Sequence, residues 1–288
     1  MASRELKDYY DRNTALFLRI GSSGGSHAIH RGLWAPGVRN GSDAAEYINT
    51  LLAERLQNAL PEPPRTVLDL GCGVGGTMFS LALRFPRACL QGVTISAKQV
   101  AIAREIALQL GLQHRCDFIT ADFEKLDLDL RADAIVAIES FVHAAQPECF
   151  FAACRNHLAP GGRVLIVDDF IAYPIPPNSP AMQRTLHRFR SCWQVPGLCT
   201  RAEFETAARS AGLVTVADQD LSPLIRTRRP RDWLVAAASP VARVLGLSQR
   251  PFWANVVGGH ALNRALRKGW VRYHLLTLTQ ADASDRGA

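Results

Sequence analysis

An apolar run that ends in Asp69 and opens at once into a loop with glycine at positions 71, 73, 75 and 76 limits what this chain can fold into more than any other stretch. The sequence VLDLGCGVGG, residues 67–76, reads as a buried strand turning tightly into a helix. Without Cβ atoms the glycines can take dihedrals closed to other residues, and a ligand can lie against their backbone. The N–H groups that open the next helix favour negative or electron-rich ligand atoms. Four glycines after a strand-terminal Asp point to a nucleotide-like ligand rather than to a turn that needs glycine for geometry alone.

The surrounding pattern supplies the sheet that such a loop needs. A helical pattern starts at Asp43, with Ile48, Leu51, Leu52 and Leu56 on one face, and is closed by Pro61, Pro63 and Pro64. Strands are expected at 66–70, 88–93, 116–120, 134–138 and 163–167, separated by helices at 77–85, 96–110 and 149–157. Strands that alternate with helices pair in parallel through right-handed crossovers. The expected fold is therefore α/β: a doubly wound, seven-stranded, mostly parallel sheet of Rossmann-like type. Residues 178–212 read as two cap helices around Trp193-Gln194-Val195-Pro196-Gly197, the second at 201–211. A sixth strand at 213–217 and an antiparallel seventh at 273–279 complete the sheet, within a last segment set at 271–280. Between them lies a basic insertion, 222–270, helical at 231–245 and 259–268, and 281–288 is a tail. Ligands of such sheets sit at the carboxyl ends of the strands, where Asp69, Thr94, Asp122, Glu139 and Asp168 are all expected.

Residues 1–42 precede the core, which spans 43–221. They combine an aromatic-rich helix (YYDRNTALFLRIG) with a glycine-rich segment carrying His27, His30 and Trp34, and read as a lid over a pocket. The aromatic helix could also pack on a neighbouring subunit as a homo-oligomer contact. A net charge of +7 suggests an anionic ligand or surface, but the basic residues are interleaved with apolar ones, which argues against nucleic acid. Seven scattered cysteines contain no C-x-x-C pair, so neither a disulfide framework nor a zinc site is indicated. The N-terminus has no apolar signal core and no apolar run is long enough to span a bilayer, which fits a reducing cytoplasm.

Two cofactor classes compete for the glycine loop. Gly71, Gly73 and Gly76 satisfy G-x-G-x-x-G, the fingerprint of nicotinamide dehydrogenases, but that fingerprint also needs an acid ending the second strand. The strand runs instead into Gly92-Val93-Thr94-Ile95-Ser96. The order of motifs resembles the class I S-adenosylmethionine-dependent methyltransferases over roughly residues 45–220: VLDLGCGVGG, GVTIS followed by Gln99, Ala121-Asp122-Phe123, and LAPGGRVLIVDD. The resemblance implies S-adenosyl-L-methionine as cofactor and S-adenosyl-L-homocysteine as product. Asp69, Gly71, Cys72 and Gly73 would lie along the methionine part, Thr94, Ile95 and Gln99 near the ribose, and Asp122 with Phe123 at the adenine.

The G-[IV]-T-[IL]-S strand end resembles the branch of sterol, tocopherol, cyclopropane-fatty-acid and isoprenoid-diphosphate C-methyltransferases. Tyr9-Tyr10-Asp11, the segment IHRGLW at 29–34, AIESFVH at 137–143 and W-x-V-P-G-L-x-T at 193–200 resemble it too. The resemblance implies methylation at an alkene carbon of a hydrophobic isoprenoid, either a prenyl diphosphate or a prenylated small molecule. Attack by an alkene leaves a carbocation that must be shielded from water and lose a proton or cyclise. Aromatic faces stabilise a desolvated cation by about 2 kcal/mol each. Tyr9, Tyr10, Phe17, Trp34, Phe141 and Trp193 are candidates for that lining, with His30 beside them in the lid. Glu139, just past the fourth strand, is the expected base, with His143 as partner or alternative; Glu139 could instead hold the cofactor. Arginines at 226, 228, 229, 231, 243, 250, 264 and 267 suit phosphate oxygens. Mg2+ is compatible with a diphosphate but not indicated, because no D-D-x-x-D run is present. Other readings stay open: an O- or N-methyltransferase of an aromatic natural product with His143 as base, a dehydrogenase, and a silent cofactor-binding subunit.

Overall fold

The computed structural model describes residues 30–172, 179–227 and 251–281. The expected aromatic helix with Tyr9, Tyr10 and Phe17, the expected helix at 231–245 and residues 282–288 lie outside them.

The strands are β1 (Thr66–Leu70), β2 (Cys89–Thr94), β3 (Cys116–Thr120), β4 (Ala132–Ile138), β5 (Leu158–Ile171), β6 (Leu213–Asp220) and β7 (Val271–Gln280). They form one sheet in the order β3-β2-β1-β4-β5-β7-β6. β1 to β5 pair in parallel, and β7 runs antiparallel between β5 and β6. The order reverses between β1 and β4, which opens a crevice at their carboxyl ends.

Side chains alternate across each strand, and both faces are buried. Val67, Val136, Leu165 and Tyr273 face one core, while Leu68, Ile135, Ile166 and Leu276 face the other. On the first face pack α1 (Gly41–Ala59), α2 (Gly76–Arg84) and α3 (Ala97–Gln109). On the second pack α4 (Pro147–His157) and α6 (Arg201–Ser210). Asn40 starts α1 by accepting from the Asp43 N–H at 2.9 Å, and Thr200 with Glu203 forms a capping box on α6. A third core joins α5 (Pro180–Trp193) to α7 (Pro251–Arg267) through Met182, Leu186, Phe189, Ala261, Leu262 and Ala265. No described helix is long and apolar enough to cross a membrane.

Two boundaries differ from expectation. β5 is far longer than 163–167: it starts at Leu158, takes in the glycine pair through a register shift against β4, and continues to Ile171. Asp168 therefore lies inside the strand, fully buried, rather than at its end. α7 starts at Pro251 instead of 259, because its apolar face has a partner in α5 that periodicity alone does not reveal.

The VPGL turn after α5 docks on the turn that follows β4. The Gly197 N–H donates to the Val142 carbonyl at 2.8 Å, and a Cβ on Gly197 would come within 2.7 Å of the Phe141 and Ala144 carbonyl oxygens. Three carbonyls must move to admit a methyl group, so Gly197→Ala is expected to cost about 1–3 kcal/mol of stability. Urea unfolding of the variant against the parent protein checks this.

Candidate active site

Two cavities meet at the crevice. One of about 700 Å³ lies over the ends of β1 to β3 and is lined by Thr94, Ile95, Asp122 and Phe123 among others. The other, about 180 Å³, lies under the strap of residues 30–38 and is walled by His30, Arg31, Asp69, Asp169, Phe189 and Trp193. Gly71, Gly73, Gln99, Glu139 and His143 line both.

The glycine loop is held from two sides. The N–H groups of Gly71 and Cys72 donate to the Val93 carbonyl at 2.8 and 3.0 Å, and the Ser140 hydroxyl donates to the Leu70 carbonyl at 2.6 Å. Gly71 sits at φ +91°, and a Cβ there would overlap the Ser140 side chain. Burial of Cys72 pushes its thiol well above the ordinary range, so it serves as packing. Beyond the loop, Thr94 donates to Gln99 Oε1 at 2.6 Å, which leaves the Gln99 amide N–H groups as donors at the larger cavity. Asp122 caps the short turn Phe123–Lys125 by accepting from Glu124 N–H at 3.1 Å, and Phe123 packs edge-on against Phe150.

Asp69 is 3% exposed, and its carboxylate has no hydrogen-bond partner among the described residues. Burial pushes it up to about 7. An ionised carboxylate in such a place wants a cation. A backbone cradle that a Cβ would fill, a buried acid and amide donors beside it together fit a nucleoside that carries a positive group.

Glu139 stands where the two cavities join, at φ +51°, a conformation that costs a non-glycine residue about 1–3 kcal/mol. Three donors converge on its Oε1: the Arg31 backbone N–H and Nε, both at 3.0 Å, and the Tyr273 hydroxyl at 2.8 Å. Its Oε2 has no hydrogen-bond partner among the described residues. Burial alone would raise its pKa, but the Arg31 guanidinium, helped by His30 and the Tyr273 hydroxyl, brings it below the ordinary glutamate value. His143 donates through Nδ1 to the Gln194 carbonyl at 2.9 Å, so Nε2 is the nitrogen that can accept a proton. Burial lowers its pKa, keeping it neutral.

A sequence profile for a methyltransferase domain matches residues 67–162. O-methyltransferase cnsE of Penicillium expansum is 30% identical over 203 residues, 69% of each chain. The chain belongs to the class I methyltransferases. Cycloartenol-C-24-methyltransferase 1 of Oryza sativa subsp. japonica is 29% identical over 218 residues, 74% of this chain and 60% of that one. A solved structure of geranyl diphosphate methyltransferase in complex with GPP and sinefungin superposes with a TM-score of 0.72 at 21% identity, covering 96% of this chain and 99% of that one, and shows the shared fold. The chain spans 46% to 64% of the length of four of its curated relatives.

Within this methyltransferase fold the predicted cofactor residues Gly71, Gly73, Thr94, Ile95, Gln99, Asp122 and Phe123 line the larger cavity, whereas Asp69 and Cys72 line the smaller together with His30, Glu139, His143 and Trp193. Phe141 does not line either. Its ring is fully buried between Phe150, Phe151, Phe170 and Phe204, because the chain after β4 turns that side chain down into the second core. Trp34 also lies outside both cavities: Arg226 stacks on its ring at 3.5 Å, and its backbone N–H donates to the Leu224 carbonyl. Arg31, Asp169 and Tyr273 were missed as site residues. Arg31 stood in the IHRGLW segment and Asp169 in VDD, but nothing in the sequence connects either with a tyrosine more than a hundred residues further on.

The elevated Asp69 value has a consequence for stability. The folded state keeps this proton at a pH where the unfolded chain, near 3.8, has lost it. Its contribution is complete at low pH and is lost as pH rises towards about 7. Asp69→Asn is expected to remove a pH-dependent loss on the order of 4 kcal/mol between those limits. Urea melts of the two proteins at a series of pH values between 4.5 and 8 measure the difference.

Proposed function

We propose that this chain transfers a methyl group from S-adenosyl-L-methionine to an alkene carbon of a neutral isoprenoid acceptor, with Glu139 as the base. The observation that carries this reading is the position of Glu139 between the two cavities, with Oε1 tied down and Oε2 without a partner among the described residues. The likeness to a sterol C-methyltransferase supports the acceptor class.

S-adenosyl-L-methionine, when bound, supplies a methyl group made electrophilic by its sulfonium. Asp69 would pair with the amino group at the methionine end, Gln99 would donate to the ribose hydroxyls, and Asp122 with Phe123 would hold the adenine. The smaller cavity takes the acceptor, where Ile138, Val142, Phe189, Trp193 and Val195 exclude water. When one carbon of the alkene takes the methyl group, the other carbon of that double bond is left as a carbocation, and the carboxylates of Glu139 and Asp169 with the Trp193 ring favour positive charge there. Oε2 of Glu139 then takes the proton from the carbon beside the cation, and the double bond re-forms.

The same charges argue for an acceptor without a phosphate in this cavity. Arg31 is neutralised by Glu139 and Asp169, and Arg226 is stacked on Trp34. A diphosphate here would meet Asp69, Glu139 and Asp169. Arginines 228, 229, 231, 243 and 250 lie outside the described residues. A prenylated small molecule is therefore favoured over a prenyl diphosphate. A second reading, methylation of a hydroxyl or amine on an aromatic natural product, draws on His143, whose Nδ1 donation leaves Nε2 as a proton acceptor, and on the likeness to an O-methyltransferase.

Glu139→Gln is expected to bind S-adenosyl-L-homocysteine within about threefold of the parent and to lose about 10²- to 10⁴-fold in kcat. Calorimetry and mass spectrometry with a labelled methyl donor and a panel of sterols, prenylated phenols and prenyl diphosphates measure both. Unchanged turnover at saturating acceptor removes Glu139 as base, and tight NADH binding without S-adenosyl-L-homocysteine binding overturns the methyltransferase reading.

A further inference from the structure

Arg31 ties together Glu139, Asp169 and Tyr273. Its Nη1 and Nη2 grip both oxygens of Asp169 at 2.9 and 2.8 Å, and its guanidinium lies 4.0 Å over the Tyr273 ring. Asp169 and Tyr273 are direct partners across the β5–β7 ladder, so the strap is seated on one cross-strand pair near the carboxyl end of β5. From that seat Arg31 reaches Oε1 of Glu139 with Nε and its backbone N–H, and Tyr273 reaches the same oxygen with its hydroxyl.

We infer that Arg31 is a positioning residue: seated on the Asp169–Tyr273 pair, it fixes one oxygen of Glu139, so that the other oxygen alone faces the acceptor. The inference rests on Glu139 being the base. A planar fork is needed, because one ammonium cannot bridge Asp169 bidentately and reach Glu139 as well. The strained backbone of Glu139 has the same effect, since a side chain held at both its root and one oxygen has few orientations left. His30 from the strap, His143 from the turn after β4, and Asp168 and Asp169 from β5 also act on Glu139 electrostatically. Arg31 is the opposite charge closest to it.

Without the Arg31 charge, burial is left to dominate and the Glu139 proton is held to higher pH. Arg31→Gln is expected to lower kcat at neutral pH by about 10²-fold and to move the acidic limb of the kcat profile up by about 1–3 pH units. Tyr273→Phe, which removes a hydroxyl alone, should move the limb up by about 1 unit. S-adenosyl-L-homocysteine affinity should stay within about threefold in both. Arg31→Lys should not restore kcat, as the charge returns without the fork.

A readout independent of turnover is the carboxyl carbon titration of ¹³C-glutamate-labelled protein without cofactor, with the Glu139 signal assigned by its loss in Glu139→Gln. Its midpoint should rise in Tyr273→Phe and further in Arg31→Gln. If Arg31→Gln fails to fold, Tyr273→Phe carries the test. Folded variants with an unmoved Glu139 midpoint, or full rescue by Arg31→Lys, overturn the positioning role. Those results leave the methyltransferase reading standing, which fails separately if the parent protein neither binds S-adenosyl-L-homocysteine nor transfers methyl.

Discussion

Four carboxylates, Asp69, Glu139, Asp168 and Asp169, are gathered at the carboxyl side of this sheet within or beside one crevice, and the site depends on how each is tolerated there. Burying charged acids together is costly unless hydrogen bonds or opposite charges offset it. Asp168 takes backbone N–H bonds from Val142 and Asp169, and burial together with Asp169 pushes its pKa well above the ordinary aspartate range. Asp169 and Glu139 share one guanidinium. Among the described residues Asp69 alone of the four receives neither, and burial is what sets its elevated pKa.

The same economy shapes the backbone. Asp168 has a second task, since its bond to Val142 N–H holds the turn that carries Glu139, Phe141 and His143. That turn is pinned from the other side by Gly197 and by the Gln194 carbonyl on His143. The two described non-glycine residues with positive φ, Glu139 and Gln194, both lie at this contact. Strain is concentrated where the surrounding packing over-determines the conformation, which is how Glu139 is held at the junction of two cavities.

Much of the fold was legible because parallel strands buried on both faces are apolar runs, and their helices carry ordinary periodicity and caps. The boundaries that were missed have local causes. The glycine pair before Arg163 reads as the end of a turn, whereas in the sheet Leu158 already pairs with Ala132. Phe141 and Trp34 were taken for cavity aromatics because a motif gives spacing without direction: one ring turns into a phenylalanine core, and the other is covered by Arg226.

By itself the sequence determined the sheet, the glycine cradle with its buried acid, and the order of residues along the larger cavity, since each is set by neighbours a few positions apart. Only the tertiary structure decided that Arg31 meets Asp169, Glu139 and Tyr273. Those contacts join a strap near the start of the chain to its last strand, and no local propensity encodes a salt bridge across such a separation. The smaller cavity's balance of charge follows from that meeting.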